Sequence, residues 1–303
     1  MTNPDVHIAI INLPRATARR EAMKAEMEQA GLDVQFSDAV DLSQISEADL
    51  LRDCAREGPW GVFQNKDMAC TLSHARTWEA FLASDAQYLL VFEDDVFVSP
   101  ELADWLADLS WWPEGADIVK LERWLSPRKK VVLELPGIAF AGRNVARLLS
   151  RHSGGAGYLL TRRAAERLLA HKPFPMCVDQ LLFNPIASPA ARELDIFQII
   201  PALVQQGNDP DQSAALADDR QRPKGMMLLR QKIVRGWNEI AYPLSTVFKL
   251  ITGRATLMRV PYAAKAYPDG LEPTGTSSLT KHSPVPPHGT FMTHEGSTHG
   301  RTH

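Results

Sequence analysis

Short apolar runs alternate with amphipathic stretches along the first two thirds of the chain. Residues 6–13 form a compact run rich in β-branched side chains, which predicts a buried strand. Residues 15–30 repeat apolar side chains at helical spacing and stop at Gly31, a residue that favours the end of a helix. Residues 33–40 predict a second strand. Strand, helix and strand in this order are typical of the opening of a parallel α/β sheet.

The same alternation continues to about residue 205. Further elements are expected as helices at 44–56, 67–83 and from about 163, as strands at 88–92, 116–121 and 158–161, as a last strand within 194–205 that ends at Pro201, and as a hairpin arm at 131–140. Asp67 is the expected N-cap of the helix at 67–83, because a carboxylate accepts bonds from the first backbone N–H groups. The pattern predicts an α/β fold with a central mixed, mostly parallel sheet.

From about residue 220 the pattern changes. Residues 220–268 carry ten Lys or Arg and one acid among apolar and aromatic side chains, whereas residues 1–219 have 11 more acids than bases. The basic segment fits either an amphipathic helix that lies on a membrane surface or a C-terminal helix that packs on the acidic domain. Residues 269–303 are rich in Pro, Gly, Ser, Thr and His, which predicts disorder. We therefore expect a main domain at 1–219, a basic helical extension at 220–268 and a disordered tail at 269–303.

Composition excludes several classes of protein. The three cysteines, Cys54, Cys70 and Cys177, form no close pair, which argues against a disulfide framework and a zinc knuckle and favours a reducing compartment. No apolar stretch approaches the roughly 20 residues of a membrane span. The acidic main domain would repel nucleic acid. We expect a cytoplasmic protein, and docking through 220–268 would place it on the cytosolic face of the inner membrane.

Three adjacent carboxylates follow the apolar run at 88–92. Glu93, Asp94 and Asp95 repel one another, and a folded protein tolerates such a cluster readily where a cation is supplied. Mg²⁺ and Mn²⁺ take oxygen ligands and share them with substrate phosphates. Because side chains alternate along a strand, Glu93 and Asp95 are expected on one side and Asp94 on the other. The alternative is a solvated turn or a helix N-cap cluster.

Six segments carry a resemblance to a known family. They are INLPRATARR at 11–20, ACTLSHARTWEAF at 69–81, YLLVFEDDV at 88–96, DIVKL at 117–121, GYLLTRRAAERLL at 157–169 and VDQ at 178–180. In this order they resemble glycosyltransferase family 25, over about residues 6–215. The resemblance implies a GT-A-like, nucleotide-sugar-binding sandwich. It also implies inverting transfer of a hexose, with galactose favoured, from a UDP-sugar to a glycan or lipid-linked acceptor in cell-surface polysaccharide or lipopolysaccharide synthesis.

The same resemblance suggests roles for the acids. Glu93 and Asp95 stand in for a DxD motif and would hold Mn²⁺ or Mg²⁺, while Asp94 would contact the donor. Inverting transfer needs a base opposite the leaving group, and Asp179 is the candidate. The alternative for Asp179 is a helix cap, and Asp117 and Glu122 are reserve bases.

Further residues are expected around the donor and the acceptor. The donor set is Asn12, Arg15, Arg19, Ser73, His74, Asp94 and Lys120, and the acceptor set is Gly155 and Gly157. Arg and Lys suit phosphate, and glycine permits close backbone approach. Each has a plainer alternative: surface ion pairs for the arginines, a surface position for the lysine, a core or capping role for the histidine, and a tight turn for the glycines.

Two departures and two rival functions stay open. Ala18 precedes Arg19 where the family usually has Asp, and Pro14 stands where a polar residue is common, so donor contacts near the first helix are in question. One rival is another Mg²⁺-dependent phosphoryl enzyme that uses clustered acids. The other is a non-catalytic, membrane-docked protein that binds sugar nucleotides.

Overall fold

The computed structural model describes residues 3–123, 129–207, 225–240 and 243–265. The helices of these ranges are α1 Thr17–Gln29, α2 Glu47–Asp53, α3 Asn65–Leu82, α4 Leu102–Ala107, α5 Arg162–Leu169, α6 Val178–Phe183, α7 Pro189–Arg192, α8 Met226–Ile240 and α9 Leu244–Ile251. The strands are β1 Val6–Asn12, β2 Gln35–Asp38, β3 Glu57–Gly58, β4 Gly61–Val62, β5 Tyr88–Glu93, β6 Val96–Val98, β7 Ile118–Lys120, β8 Glu122–Arg123, β9 Val131–Glu134, β10 Ile138–Phe140, β11 Arg143–Arg147, β12 Gly157–Thr161, β13 Ile196–Ile200, β14 Val204–Gln206 and β15 Ala255–Met258.

The central sheet has eight strands in the order β10-β11-β13-β7-β12-β5-β1-β2. Strand β1 is parallel to β2 and β5, and β7 is parallel to β13. Strand β12 is antiparallel to both β5 and β7, and β11 is antiparallel to β10 and β13. All strands except β11 and β12 therefore run in one direction, which confirms the expected α/β class with a mixed, mostly parallel sheet.

Side chains of β5 show how the sheet separates two cores. Leu89 and Val91 are fully buried on the side covered by α3, α5 and α6, whereas Leu90 and Phe92 are fully buried on the side covered by α1 and α4. Alternate residues of a strand point to opposite faces, so a strand buried on both faces must be apolar throughout. The run at 88–92 meets this requirement, and the polar residues begin where the strand leaves the core.

The register brings several strand ends to one edge of the sheet. Ile11 of β1 lies opposite Glu93 of β5, so Asn12 and the acidic triplet leave the sheet side by side. Strand β12 runs the other way, and the backbone N–H of Glu93 donates to Ala156 O at 3.2 Å. A small sheet in the order β6-β14-β8 extends the structure here and places Gln206 opposite Val96.

The extension contains the expected helices, α8 and α9, and also a strand. Strand β15 pairs antiparallel with β9 of the main domain, and Lys249 Nζ lies 2.6 Å from Glu134 Oε1. The region 131–140 thus supplies two strands to different sheets, because β9 pairs with β15 while β10 forms the expected hairpin arm with β11. No helix in the described ranges is long and apolar enough to cross a bilayer.

Some predicted details differ. Asp67 is not the N-cap of α3: the cap position is Gln64, and Asp67 lies within the first turn, where its charge still favours the positive end of the helix dipole. Strand 194–201 is not the last strand, since β14 and β15 follow. The tail predicted to be disordered, 269–303, lies outside the described residues, and the three-part division of the chain stays a prediction.

Candidate active site

The acidic triplet lies where the central sheet meets a cleft of about 400 Å³. Glu93 is the last residue of β5, and Asp94 and Asp95 form the turn into β6. The cleft is lined by the triplet and by four of the predicted donor residues, Arg15, Arg19, Ser73 and His74. The register of β1 and β5 therefore assembles residues that are far apart in the sequence.

Asp94 is held by two partners, one at the end of β1 and one in α1. Asn12 Nδ2 donates to one carboxylate oxygen at 2.6 Å, and Arg19 Nη1 donates to the other at 2.8 Å. Burial raises the pKa of Asp94, and both the Arg19 charge and the Asn12 hydrogen bond oppose that rise. With both oxygens bonded to the protein, Asp94 fixes β5 against α1 and is a poor ligand for a metal.

Glu93 and Asp95 share a different partner, which matches the predicted grouping, although Asp94 and Asp95 lie in a turn and not on a strand. Gln206 Nε2 lies 3.4 Å from Glu93 Oε2 and 3.1 Å from Asp95 Oδ2, so one amide joins both carboxyl groups. Burial first, and then the negative charges of the neighbouring acids, raise the pKa of each group to about 7. A divalent cation would stabilise the ionised form of both carboxyl groups, and their oxygen atoms suit Mg²⁺ or Mn²⁺.

A buried polar cluster lies behind Glu93. His74 Nε2 is 3.5 Å from Glu93 Oε1, and His74 Nδ1 is 2.8 Å from Tyr158 Oη. Trp78 Nε1 donates to the same Tyr158 oxygen at 3.0 Å. His74 and Tyr158 are fully buried, and burial lowers the pKa of His74 to about 3. The imidazole is therefore neutral, and it faces Glu93 rather than open solvent.

Lys120 was expected to meet the donor, and the structure corrects this. Its ammonium is fully buried, donates to Glu122 Oε2 at 2.9 Å and to the carbonyl of Gly154, and lies over the Phe183 ring. A lysine charge already paired in the core is not available for a phosphate in the cleft. Glu122, a reserve base, is likewise fully buried and also accepts from Ala156 N at 2.9 Å.

Two predicted donor residues have different exposure. Arg15 is largely exposed on the cleft wall and donates to Asp41 at 2.7 Å, which lowers the pKa of Asp41 to about 2. The Ser73 hydroxyl donates to Ala69 O at 2.7 Å and accepts from Val40 N at 2.8 Å. Ser73 thus joins α3 to the chain after β2, while Arg15 keeps a cationic group facing the cleft.

The glycines of the 154–157 loop serve packing. A Cβ on Gly157 would lie 2.8 Å from Val204 Cγ1, and Gly155 is buried beside Val178 and His74. Gly154 has φ +88°, and a Cβ there would lie 2.3 Å from Glu122 Oε1. Gly155 and Gly157 were expected to form an acceptor wall, but both are buried, and at Gly157 the contact with Val204 leaves no room for a side chain.

Of the three candidate bases, Asp179 is the one that is neither fully buried nor ion-paired in the described residues. It is half-buried in the first turn of α6, where the cap position is Cys177, so the capping alternative is not what the structure shows. Its carboxylate accepts from Gln180 Nε2 at 2.8 Å, and its charge contributes to the raised pKa of Glu93. Asp117, by contrast, is buried and bonded to Arg163 and to the backbone N–H of Asp195.

Sequence reasoning missed Gln206, Tyr158 and Trp78. Gln206 follows β5 by more than one hundred residues and reaches the triplet because β14 pairs with β6. Tyr158 and Trp78 read as core aromatics, and both are fully buried. Only the pairing of β12 with β5 and the packing of α3 show that their polar atoms meet His74.

The chain is similar to several known glycosyltransferases. The lacto-N-neotetraose biosynthesis glycosyltransferase LgtB of Neisseria gonorrhoeae is 30% identical over 209 residues, which are 65% of this chain and 73% of that protein. The lipooligosaccharide biosynthesis protein lic2B of Haemophilus influenzae is 28% identical over 192 residues, which are 58% of this chain and 68% of that protein. Among solved structures, a glycosyltransferase involved in the glycosylation of the major capsid of PBCV-1 aligns at a TM-score of 0.37 and 10% identity, over 70% of this chain and 100% of that one.

The family model named glycosyltransferase family 25 (LPS biosynthesis protein) matches residues 5–182. That range holds β1, helix α3, the acidic triplet and Asp179, and the resemblance to the family is confirmed. This chain belongs to glycosyltransferase family 25 and is a glycosyltransferase of lipopolysaccharide or lipooligosaccharide biosynthesis.

Proposed function

We propose that the protein transfers a hexose, with galactose favoured, from a UDP-sugar to a glycan or lipid-linked acceptor with inversion at the sugar carbon. The observation that carries this proposal is the pair of half-buried carboxyl groups, Glu93 and Asp95, joined by Gln206 at the wall of the cleft. Their raised pKa values and all-oxygen chemistry fit Mn²⁺ or Mg²⁺ beside a diphosphate.

Each residue then has a defined task. When bound, a divalent ion supplies positive charge to the leaving diphosphate. Glu93 and Asp95 hold that ion, and Gln206 keeps their carboxyl groups together. Arg15 and Arg19, both on the cleft wall, offer planar cations that suit phosphate oxygens.

The acceptor side depends on Asp179. A base must take the proton of the acceptor hydroxyl as the new glycosidic bond forms and the bond from the sugar carbon to the diphosphate breaks. Asp179 is half-buried, and within the described residues its carboxylate accepts from Gln180 and pairs with no cation, which leaves it able to accept that proton. LgtB, a similar protein, carries the name of a lacto-N-neotetraose biosynthesis enzyme, and this supports an oligosaccharide acceptor.

The two C-terminal helices support docking on a membrane. Met226, Leu229, Ile233 and Trp237 are spaced along one face of α8 and are exposed, Trp237 by 67%. Val234, on another flank, lines a cavity with Ile186 of the main domain, so the helix rests on the domain through that flank.

Helix α9 continues the apolar surface. Leu244, Phe248 and Ile251 are exposed at helical spacing, Leu244 by 88%. Exposed bases accompany the two helices: Arg230, Lys232, Arg254 and Arg259. We infer that this surface binds an anionic bilayer, because its apolar side chains can insert among lipid tails while the flanking bases contact acidic headgroups. An acceptor on a lipid would then meet the enzyme at the cytosolic face of the inner membrane.

A donor screen tests the proposed reaction. UDP-galactose, UDP-glucose and UDP-N-acetylhexosamines are each mixed with the protein, with and without Mn²⁺, and calorimetric binding and sugar release are measured. We expect one UDP-hexose to bind in Mn²⁺ and to be hydrolysed slowly. Absence of binding by every sugar nucleotide, both with Mn²⁺ and without it, would overturn the proposal. Cleavage of simple phosphate esters would favour the phosphoryl enzyme, and binding with no transfer to any oligosaccharide would favour the non-catalytic protein.

A further inference from the structure

Three side chains connect the core to Glu93. Trp78 Nε1 lies 3.0 Å from Tyr158 Oη, Tyr158 Oη lies 2.8 Å from His74 Nδ1, and His74 Nε2 lies 3.5 Å from Glu93 Oε1. Trp78, Tyr158 and His74 are fully buried, with no exposed side-chain surface. Bulk solvent therefore does not reach these polar atoms, and they lie at hydrogen-bond distance from one another.

The donor inventory fixes where the protons lie. The Trp78 indole nitrogen only donates, so it occupies a lone pair of Tyr158 Oη. The Tyr158 hydroxyl hydrogen needs an acceptor, and within the described chain His74 Nδ1 is the one at hydrogen-bond distance. If Nδ1 accepts, then the neutral imidazole carries its hydrogen on Nε2. The opposite tautomer would leave the buried Tyr158 hydroxyl hydrogen without a partner, which costs about 1–3 kcal/mol.

The hydrogen on His74 Nε2 then points towards Glu93. In the described residues Nε2 makes no hydrogen bond of good geometry, and the nearest carboxylate oxygen is Glu93 Oε1. A small rotation of the Glu93 carboxyl shortens the 3.5 Å separation to a hydrogen bond, since the neighbouring Gln206 contact is also long, at 3.4 Å. Such a bond leaves Glu93 Oε2 turned towards Asp95.

We propose that His74 is a positioning residue whose Nε2–H donates to Glu93 Oε1, in a tautomer imposed by Tyr158 and Trp78, and that this bond orients Glu93 for the cation. The inference rests on the proposed function, because it deepens the role of the Glu93–Asp95 pair. It replaces the expectation that His74 contacts the donor directly.

The geometry also offers a rival site, which the tautomer argues against. Ligand atoms of Cys70, His74 and Glu93 lie within 4.8 Å of one another, a spacing that a soft metal ion would accept. Nitrogen ligation needs a bare Nε2 lone pair directed at the metal. With hydrogen on Nε2, His74 acts on the cation only through Glu93, as outer partners of metal ligands do.

Two substitutions separate these roles. His74→Gln places an amide N–H near the position of Nε2 and keeps the donor, whereas His74→Leu keeps volume and removes it. Mn²⁺ binding, followed by electron paramagnetic resonance of the free ion, is expected to weaken about 10- to 100-fold in His74→Leu and by less than about threefold in His74→Gln. His171→Leu, at a more exposed histidine paired with Glu193, is the matched control and should leave Mn²⁺ binding unchanged. Equal weakening in both His74 variants would overturn the inference.

A spectroscopic arm keeps the test valid if His74→Leu does not fold. In metal-free wild-type protein with ¹⁵N-labelled histidine, nuclear magnetic resonance should report His74 protonated on Nε2 and bare on Nδ1, and Tyr158→Phe should abolish that preference. The reverse tautomer in wild type, or ¹⁴N coupling from His74 to bound Mn²⁺, would overturn the inference. Failure of wild type to bind Mn²⁺ would instead contradict the proposed metal site, while the tautomer remained measurable.

Discussion

At the scale of single residues, three neighbouring acids have unequal tasks. Asp94 has both oxygens bonded to Asn12 and Arg19, so it is structural. Glu93 and Asp95 share only the amide of Gln206 and repel each other, which raises the pKa of each to about 7. A site built for a cation is destabilising without it, so binding and stability should respond to substitution in opposite directions.

Asp95→Asn tests this opposition. The amide removes one of two repelling charges, so the midpoint of thermal unfolding in EDTA is expected to equal or exceed that of wild type. Sugar transfer in Mn²⁺ should fall by about 100-fold or more, because a cation ligand is lost. Glu114→Gln, at an exposed acid outside the cleft lining, is the control for both measurements. A large loss of EDTA stability with unchanged transfer would contradict the assignment of Asp95.

Asp179→Asn addresses the base. The variant keeps the size of the side chain and its contact with Gln180 but cannot take a proton. We expect kcat for transfer to fall by about 10²- to 10⁴-fold, with Mn²⁺ and UDP affinities within about threefold of wild type. Steady-state kinetics and calorimetry measure the two quantities. If kcat is unchanged, the base is another group; if donor binding is lost, Asp179 belongs to the donor site.

At the scale of elements, prediction succeeded where the pattern is local. The apolar run at 88–92 and the acids after it predicted a buried strand that ends in a polar turn, because both features lie within one segment. Strand β15 was missed because Ala255–Met258 has a weak strand pattern and is stabilised by pairing with β9. Likewise, the sequence predicted Lys120 at the donor, with a surface position as the alternative, and only the sheet shows that Glu122 and Phe183 enclose it.

Helices α8 and α9 also carry the membrane prediction. The double variant Trp237→Glu with Phe248→Glu places acids on the exposed apolar surface, where they oppose both lipid tails and anionic headgroups. Cosedimentation with vesicles of phosphatidylglycerol and phosphatidylethanolamine at 1:3 should fall at least about tenfold, while transfer to a soluble oligosaccharide should persist.

The control for that experiment is Leu51→Glu, which changes an exposed leucine on α2, away from both C-terminal helices. It should leave vesicle binding unaltered. Wild-type binding is expected to weaken in high salt and on phosphatidylcholine vesicles, since the bases Arg230 and Lys232 attract negative headgroups. Wild-type protein that ignores anionic vesicles at low salt would contradict the docking proposal.

At the scale of the whole molecule, the central sheet decides which distant residues meet. Glu93 and Asn12 leave the sheet side by side because β1 and β5 are parallel and so end at the same edge. Gln206 was beyond prediction, since its place depends on β14 crossing back to β6, a pairing with no local signal. The packing around the same sheet also buries His74 and His152, and these two histidines make the stability of the whole protein depend on pH.

Buried histidines give that linkage a definite sign. Burial lowers the pKa of His74 to about 3 and that of His152 well below its usual value. Between those values and the unfolded pKa, the unfolded chain therefore binds more protons than the native protein does. Their contribution to stability is complete above the unfolded pKa of about 6.5 and is lost as pH falls below it, by about 1.4 kcal/mol per pH unit for each such histidine.

His152→Gln removes one of these groups without adding charge. Denaturant unfolding from pH 7 to pH 4.5 should therefore show a shallower loss of free energy in His152→Gln than in wild type. His171→Gln, at a half-buried histidine beside Glu193, should follow the wild-type slope. Parallel curves for wild type and His152→Gln would mean that His152 is protonated in the native state.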